Sequence, residues 1–312
     1  MSQTRVFRFG VSAQPLDTAD DWRALARKVE DLGYSTLFLP DHLGKQLAPM
    51  PALAVAAEAT SRLRVGVLVA ANDFRHPVLH AKEIATLDLL SDGRVEWGVG
   101  AGWLEPEYQA AGIPFDLAER RVSRLEEAVT VMRGLFGDDP VHHHGDHYQV
   151  DGLEGFPKPI QRPHPPLLVG AAQHRMLSFA ARAADIVGVA PSPTSQSVDG
   201  DPPRHTVVEA VDRQVEWVRG AASERFDELE LNMVAFPVAV TNEREQRAER
   251  VAPHIRLPPD QVLASPHVIL GTVEQICEQL EAHRQRWGVS YWVVPARSAG
   301  ALSPVVARLT GH

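Results

Sequence analysis

The side chains best suited to chemistry are Asp41 and His42, which follow a short apolar run, Thr36 to Leu39, and Pro40. A carboxylate beside an imidazole can orient the ring, shuttle a proton or bind the polar edge of a cofactor. Without function, the same pair is a helix N-cap followed by a half-exposed histidine. In Gly93 to Trp103, GRVEWGVGAGW, glycines at 98, 100 and 102 leave backbone uncovered where a strand ends. Side-chain-free positions admit a flat ring or a phosphate, and a tight turn is the plain alternative. Trp103 is suited to stacking on a flat ligand or to packing under a loop. In Arg64 to Pro77, Asn72 and Asp73 either project from a strand end or cap the helix that Pro77 begins. In Leu167 to Met176, Gly170, Ala171 and Ala172 lead into a helix whose first turn holds His174 and Arg175. Small residues before a helix N-terminus suit an anion, and a phosphate is the expected group; an ordinary strand-to-helix turn fits equally.

Other reactive types are weaker candidates. His142, His143, His144 and His147 lie in HHHGDH, whose spacing does not match a helical metal motif. The expectation there is a solvated hairpin and no metal site. A metal-dependent hydrolase would rest on this cluster alone, and no Gly-x-Ser-x-Gly elbow is present. Cys277, the one cysteine, lies in the helix-like TVEQICEQLEAH and reads as a small core residue.

These residues must be positioned by strands. Apolar runs occur at Val6 to Ser12, Thr36 to Leu39, Leu63 to Ala70, Val95 to Val99, Pro166 to Gly170, Asp185 to Ala190, Leu231 to Val240 and Val289 to Val294. They are continuous rather than alternating, as expected of parallel strands buried on both faces. Helix-like segments lie between most of them. One places Trp22, Leu25, Ala26, Val29 and Leu32 on one face and ends at Gly33; another spaces Leu125, Val129, Met132 and Phe136 helically. Strand–helix alternation over this length predicts an α/β fold, a (β/α)8 TIM barrel, whose ligands bind at the C-terminal ends of the strands. No Gly-x-Gly-x-x-Gly fingerprint follows the first strand, which disfavours a doubly wound dinucleotide fold. The expectation is one barrel domain over 1–312, with insertions at about 138–165 and 251–270 rising over the active-site face.

The 31 basic and 40 acidic residues give a net charge of −9, which argues against nucleic acid or an anionic membrane as a general partner. The N-terminal MSQTRVFRFG lacks the apolar core of a signal peptide and no 18-residue apolar run occurs, so a cytoplasmic location is expected.

LGYSTLFLPDH, RVGVLVAANDFRHPVLHAKEIATLDLLSDGRVEWGVGAGWLEPEYQAAGIPF, RLEEAV, PKPIQRPHPPLLVGAA and ARAADIVG together resemble the luciferase-like monooxygenase superfamily, and within it the branch of F420-dependent oxidoreductases. The resemblance covers nearly the whole chain in order. It implies a luciferase-like barrel binding coenzyme F420, with FMN and a monooxygenase reaction as the alternative. It implies that Asp41 and His42 contact the cofactor, His42 as the catalytic group. It implies a bulge with a non-prolyl cis peptide between Val67 and Ala70, so that Val69, Ala70 and Asn72 back the cofactor ring. Gly100, Ala101, Gly102 and Trp103 would lie along the cofactor, and Gly170, Ala171, Ala172, His174 and Arg175 would meet its phosphate. The partner would be a small-molecule substrate, and a homodimer is expected. A cofactor-binding protein without turnover is a further alternative. Sugar-phosphate dehydrogenases of this superfamily carry a Glu directly after the fourth-strand glycines. Here Trp103 stands there, with Glu107 a helical turn later, and basic residues for a substrate phosphate are not found.

Overall fold

A computed structural model describes residues 5–13, 16, 18–191, 207–255 and 257–312. In chain order the strands are β1 (Arg8–Ser12), β2 (Thr36–Leu39), β3 (Arg64–Ala71), β4 (Val95–Gly100), β5 (Val141–His144), β6 (Gln149–Leu153), β7 (Leu167–Ala171), β8 (Ile186–Val189), β9 (Glu230–Val234), β10 (Val238–Val240), β11 (Ile269–Gly271) and β12 (Val289–Pro295). The helices are α1 (Ala19–Asp31), α2 (Pro49–Glu58), α3 (Pro77–Leu90), α4 (Glu105–Ala111), α5 (Ala118–Phe136), α6 (His174–Ala183), α7 (Val208–Ala222), α8 (Arg244–Ile255), α9 (Pro259–Ala264), α10 (Val273–Trp287) and α11 (Ala296–Leu309).

Eight strands form a closed barrel in the order β1-β12-β9-β8-β7-β4-β3-β2, so the expected fold is the observed one. The chain divides into two compact units. One holds Ala13–Glu30 and Thr36–Val169. The other holds Asp31–Ser35, Gly170–His312 and the segment ending at Ser12.

In the first unit, β2 and β4 are buried along their whole length, as a strand covered on both faces must be. The parallel register of β3 on β4 shifts between Val67 and Ala70, and the Leu68–Val69 peptide there is cis, within the interval the resemblance implied. Leu125, Val129, Met132 and Phe136 of α5 are buried, as their spacing required. The His-rich stretch is an antiparallel hairpin, β5 with β6, as expected.

In the second unit, α10 opens on a capping box, Thr272 with Gln275, and closes at Gly288 with φ of 81°. Cys277 is buried on it. The apolar run Leu231 to Val240 is not one strand. Pro237 has no N–H to extend a ladder, and the chain leaves the barrel there. Ala235 N–H donates to Val293 at 2.8 Å, and Phe236 N–H to His267 at 2.7 Å. Then β10 pairs in parallel with β11 in a separate two-stranded sheet. The 251–270 segment contributes Val251, Ala252, Ile255, Val262, Val268 and Leu270 to a small apolar cluster of its own. Among the described residues no helix is long and apolar enough to cross a membrane.

Candidate active site

Asp41 and His42 leave the C-terminal end of β2 in opposite roles. Asp41 is buried, and its carboxylate receives the Ala71 N–H at 3.0 Å and the Arg75 guanidinium at 2.6 and 3.1 Å. It therefore ties the exit of β2 to the end of β3 and does not hold the His42 ring. Neither is it a helix cap. Burial pulls the Arg75 pKa down, but Asp41 and Glu83 together outweigh burial and leave it raised.

The His42 ring is held instead by Glu107. Its Nδ1 lies 3.0 Å from Oε2 of Glu107. The side chains are 35% and 17% exposed, so the pair is partly desolvated yet reachable. Among the described residues the Glu107 carboxylate has no other hydrogen-bond partner and His42 Nε2 has none. The Trp103 indole meets the His42 ring edge-on at 5.9 Å and is itself 53% exposed. Glu107 was the residue that sequence reasoning set aside. Its one signal was an acid four residues after Trp103, placed by a short helix on the side of the chain that faces His42.

The glycines of β4 have a packing reason. A Cβ on Gly98 would lie 2.1 Å from the carbonyl oxygen of Val67, and one on Gly100 would lie 2.7 Å from Cγ2 of Val69. The space reserved at these positions is filled by the bulged segment of β3. Gly102 has φ of 77°, and a Cβ there would lie 1.7 Å from the Tyr108 hydroxyl. Val69, Ala101 and Gly102 are half-buried, while Ala70 and Gly100 are buried.

Asn72 and Asp73 follow β3 and do not cap α3; the His76 ring accepts the Val78 N–H at 3.3 Å and does so. Asn72 is buried, and its amide donates to the Tyr148 hydroxyl at 3.2 Å, so the β5–β6 hairpin reaches the end of β3. Asp73 accepts from Arg124 at 2.8 Å and from Tyr108 at 3.4 Å. Burial acts to raise the Asp73 pKa; Arg124 and Tyr108 oppose it, and the balance stays above the ordinary value. Burial likewise raises the Tyr108 hydroxyl.

Four of the histidines form the hairpin. His142 meets Asp151 at 2.8 Å, His143 meets Glu127 at 3.2 Å and His144 meets Gln149 at 2.9 Å. His147 gives its backbone N–H to Glu127 at 3.1 Å. Among the described residues no three metal-ligating side chains are grouped to hold an ion.

The remaining expected residues lie in the second unit. Gly170 and Ala171 end β7, and the Ala171 carbonyl accepts from Ala190 N–H at 2.9 Å. The Ala172 carbonyl accepts from the Gln214 amide at 2.9 Å. His174 and Arg175 open α6 and are exposed, with the His174 ring edge-on to Trp217 at 5.2 Å. Gln214, a buried amide on α7, was not foreseen.

The luciferase-like monooxygenase family model matches residues 1–291. An FMNH(2)-dependent dimethylsulfone monooxygenase of Pseudomonas putida is 30% identical over 190 residues, 61% of this chain and 48% of that protein. An F420-dependent glucose-6-phosphate dehydrogenase of Intrasporangium calvum is 32% identical over 168 residues, 51% of this chain and 50% of that protein. The chain thus spans about half the length of these two curated relatives. Among solved structures, the F420-dependent tetrahydromethanopterin reductase of Methanopyrus kandleri superposes with a TM-score of 0.78 at 18% identity, covering 98% of this chain and 99% of that one. A monooxygenase of Streptomyces bottropensis does so with 0.73 at 21% identity, covering 97% of both. These two likenesses show the fold.

Proposed function

Because this chain belongs to the luciferase-like monooxygenase family, we propose that it is an oxidoreductase that uses coenzyme F420, transferring a hydride between the deazaflavin and a small organic molecule. The observation that carries this reading is the half-exposed His42–Glu107 pair at the C-terminal end of β2, with Nε2 unbonded among the described residues and the exposed Trp103 indole beside it. The donor set fits a flat heteroaromatic ring: an imidazole nitrogen to bond a polar atom and an indole to cover a face. His42 and Trp103 would hold such a ring from this side, with Val69, Ala70, Gly100, Ala101 and Gly102 along it. Gly170 to Ala172, His174 and Arg175 are the proposed anion contacts. Asp41 would act at one remove, since Arg75 and Ala71 occupy its carboxylate.

The bound cofactor would supply the hydride exchange. His42 would hold or pass the proton at Nε2 that balances charge on the substrate oxygen or nitrogen. Glu107 fixes the ring through Nδ1 and stabilises its charged form while the proton is on it. Trp103 limits water at the same place. The substrate is proposed to be a small molecule; the net charge of −9 disfavours nucleic acid and anionic membrane as partners. A cytoplasmic homodimer remains the proposed setting.

A second reading, reduced FMN with molecular oxygen, is favoured by the longer alignment to the dimethylsulfone enzyme. Fluorescence titration with F420 and with FMN, followed by oxygen-electrode measurement with each reduced cofactor, separates the two. F420 binding without oxygen uptake supports the first reading; FMN binding with oxygen uptake overturns it in favour of the second. His42→Ala should lose turnover far more than cofactor affinity, which the other proposed contacts sustain, and unchanged turnover would remove His42 from the chemistry.

A further inference from the structure

Glu107 reaches His42 from α4, a helix of seven residues that has no side-chain cap at its start and ends at Gly112 in the left-handed region. So short a helix does not hold its own position in water. Something outside it must set where Glu107 points, and the structure shows what does. Tyr108, the next residue, is buried. Its ring packs at 5.1 Å on Phe74 and at 5.0 Å on Phe115, and its hydroxyl meets Asp73. Gly102, which has no Cβ, leaves the space which that hydroxyl occupies.

Asp73 is fixed in turn by Arg124 of α5, and the same guanidinium bonds Asp116. Arg121, one turn earlier on α5, donates to the carbonyls of Ala101, Gly102 and Asp116 and lies over the Phe115 ring at 3.9 Å. Both sides of α4 are therefore tied to α5, and one anchor, Asp73, belongs to the exit of β3. Among the described residues none of these groups shares a hydrogen bond, ion pair or ring contact with His42.

We propose that Asp73 and Tyr108 are positioning residues that seat α4 so that Glu107 meets the His42 ring. The proposal rests on the reading of His42 and Glu107 as the working pair. Removing the Asp73 carboxylate frees the Tyr108 hydroxyl and leaves Arg124 with Asp116 alone, so α4 loses its polar tie to the exit of β3 while the Phe74–Tyr108 ring contact and the barrel strands remain. Removing the Tyr108 hydroxyl alone is the milder form of the same change.

The test uses the cofactor-free protein first. The ring nitrogen resonances of His42, assigned by their loss in His42→Gln, are followed by NMR in Glu107→Gln, Asp73→Asn and Tyr108→Phe. All three variants should move the His42 resonances, Glu107→Gln most. Turnover is measured second, with the cofactor that binds. Asp73→Asn should lower kcat about ten-fold with little change in KM, and less than two-fold when Glu107 is already Gln. If Glu107→Gln moves the His42 resonances but Asp73→Asn and Tyr108→Phe do not, the positioning role is overturned and the pair stands. If Glu107→Gln leaves them in place, the pair itself falls and this proposal falls with it. Should Asp73→Asn fail to fold, Tyr108→Phe decides by the same readouts.

Discussion

Two His–Glu pairs lie in the same compact unit, similar in length and unlike in surroundings. His42 and Glu107 meet at 3.0 Å, His143 and Glu127 at 3.2 Å, and each glutamate side chain is 17% exposed. Glu127, however, also accepts the backbone N–H groups of Asp146, His147 and Tyr148 at 3.0 to 3.2 Å. Its carboxylate is taken up by the turn between β5 and β6. Glu107 spends its carboxylate on one imidazole, whose far nitrogen is unbonded among the described residues. The difference shows how a carboxylate serves structure or chemistry with the same neighbour. Saturated with backbone donors it anchors; left with lone pairs it can respond to a proton arriving on its partner.

The largest contrast expected is in rate. Glu107→Gln should lower kcat by roughly 10²-fold, within the range by which a positioned acid–base group accelerates proton transfer, with cofactor affinity kept. Glu127→Gln should leave kcat within a few-fold. Steady-state kinetics on the two variants with one cofactor preparation decides it. Equal losses in both would erase the distinction.

Stability should show the reverse order. Glu127→Gln places an amide NH₂ among three backbone N–H donors and the His143 ring and should cost about 1 kcal/mol by urea denaturation, because partly buried N–H groups lose an acceptor. Glu107→Gln should cost less than about 1 kcal/mol. If Glu127→Gln proves neutral, the turn is held by something other than this carboxylate.

Acid should then distinguish the pairs. Burial acts to raise the Glu127 pKa. The His147 N–H, the His143 ring, and the Tyr148 and Asp146 N–H groups outweigh it, so its carboxyl lies below the ordinary value. A carboxyl with a lowered folded-state pKa stabilises the protein above its unfolded value, about 4.3, and that stability is lost as pH falls through the folded-state value. As pH falls below about 4.3, the unfolded-state value, the wild type should lose more stability than Glu127→Gln. Parallel curves of unfolding free energy against pH would refute the anchor role.

Much of this was legible in the chain and some was not, for physical reasons. The barrel could be read because continuous apolar runs such as Thr36–Leu39 demand two covered faces, and because Leu125, Val129, Met132 and Phe136 keep helical spacing. The His hairpin could be read because flanking Gly and Asp favour a turn. The run Leu231 to Val240 misled, since apolar character does not show that a strand changes sheets at a proline. Gly98 and Gly100 showed that space was needed but not who fills it, which is Val67 and Val69. The Glu107 contact joins residues 65 apart through a short helix whose flanking segments bond Arg121 and Arg124, and no local pattern carries that. The Asp41–Arg75 tie was hidden for the same reason.

The smallest effect belongs to a third pair of the same chemistry. His142 meets Asp151 at 2.8 Å, the shortest of the three His–acid contacts, yet the side chains are 63% and 78% exposed. Water competes for both groups, and a surface ion pair contributes between about 0 and 1 kcal/mol once side-chain ordering is counted. His142→Ala should therefore change the unfolding free energy by less than about 0.5 kcal/mol and leave kcat unaltered. The same substitution at His143, where the ring is 19% exposed and lies on the anchoring carboxylate, should cost more. Measured together in urea, the two alanine variants ask whether distance or burial governs these contacts. A larger loss at His142 than at His143 would place the weight on distance and undo the reading of Glu127 as the partly buried anchor.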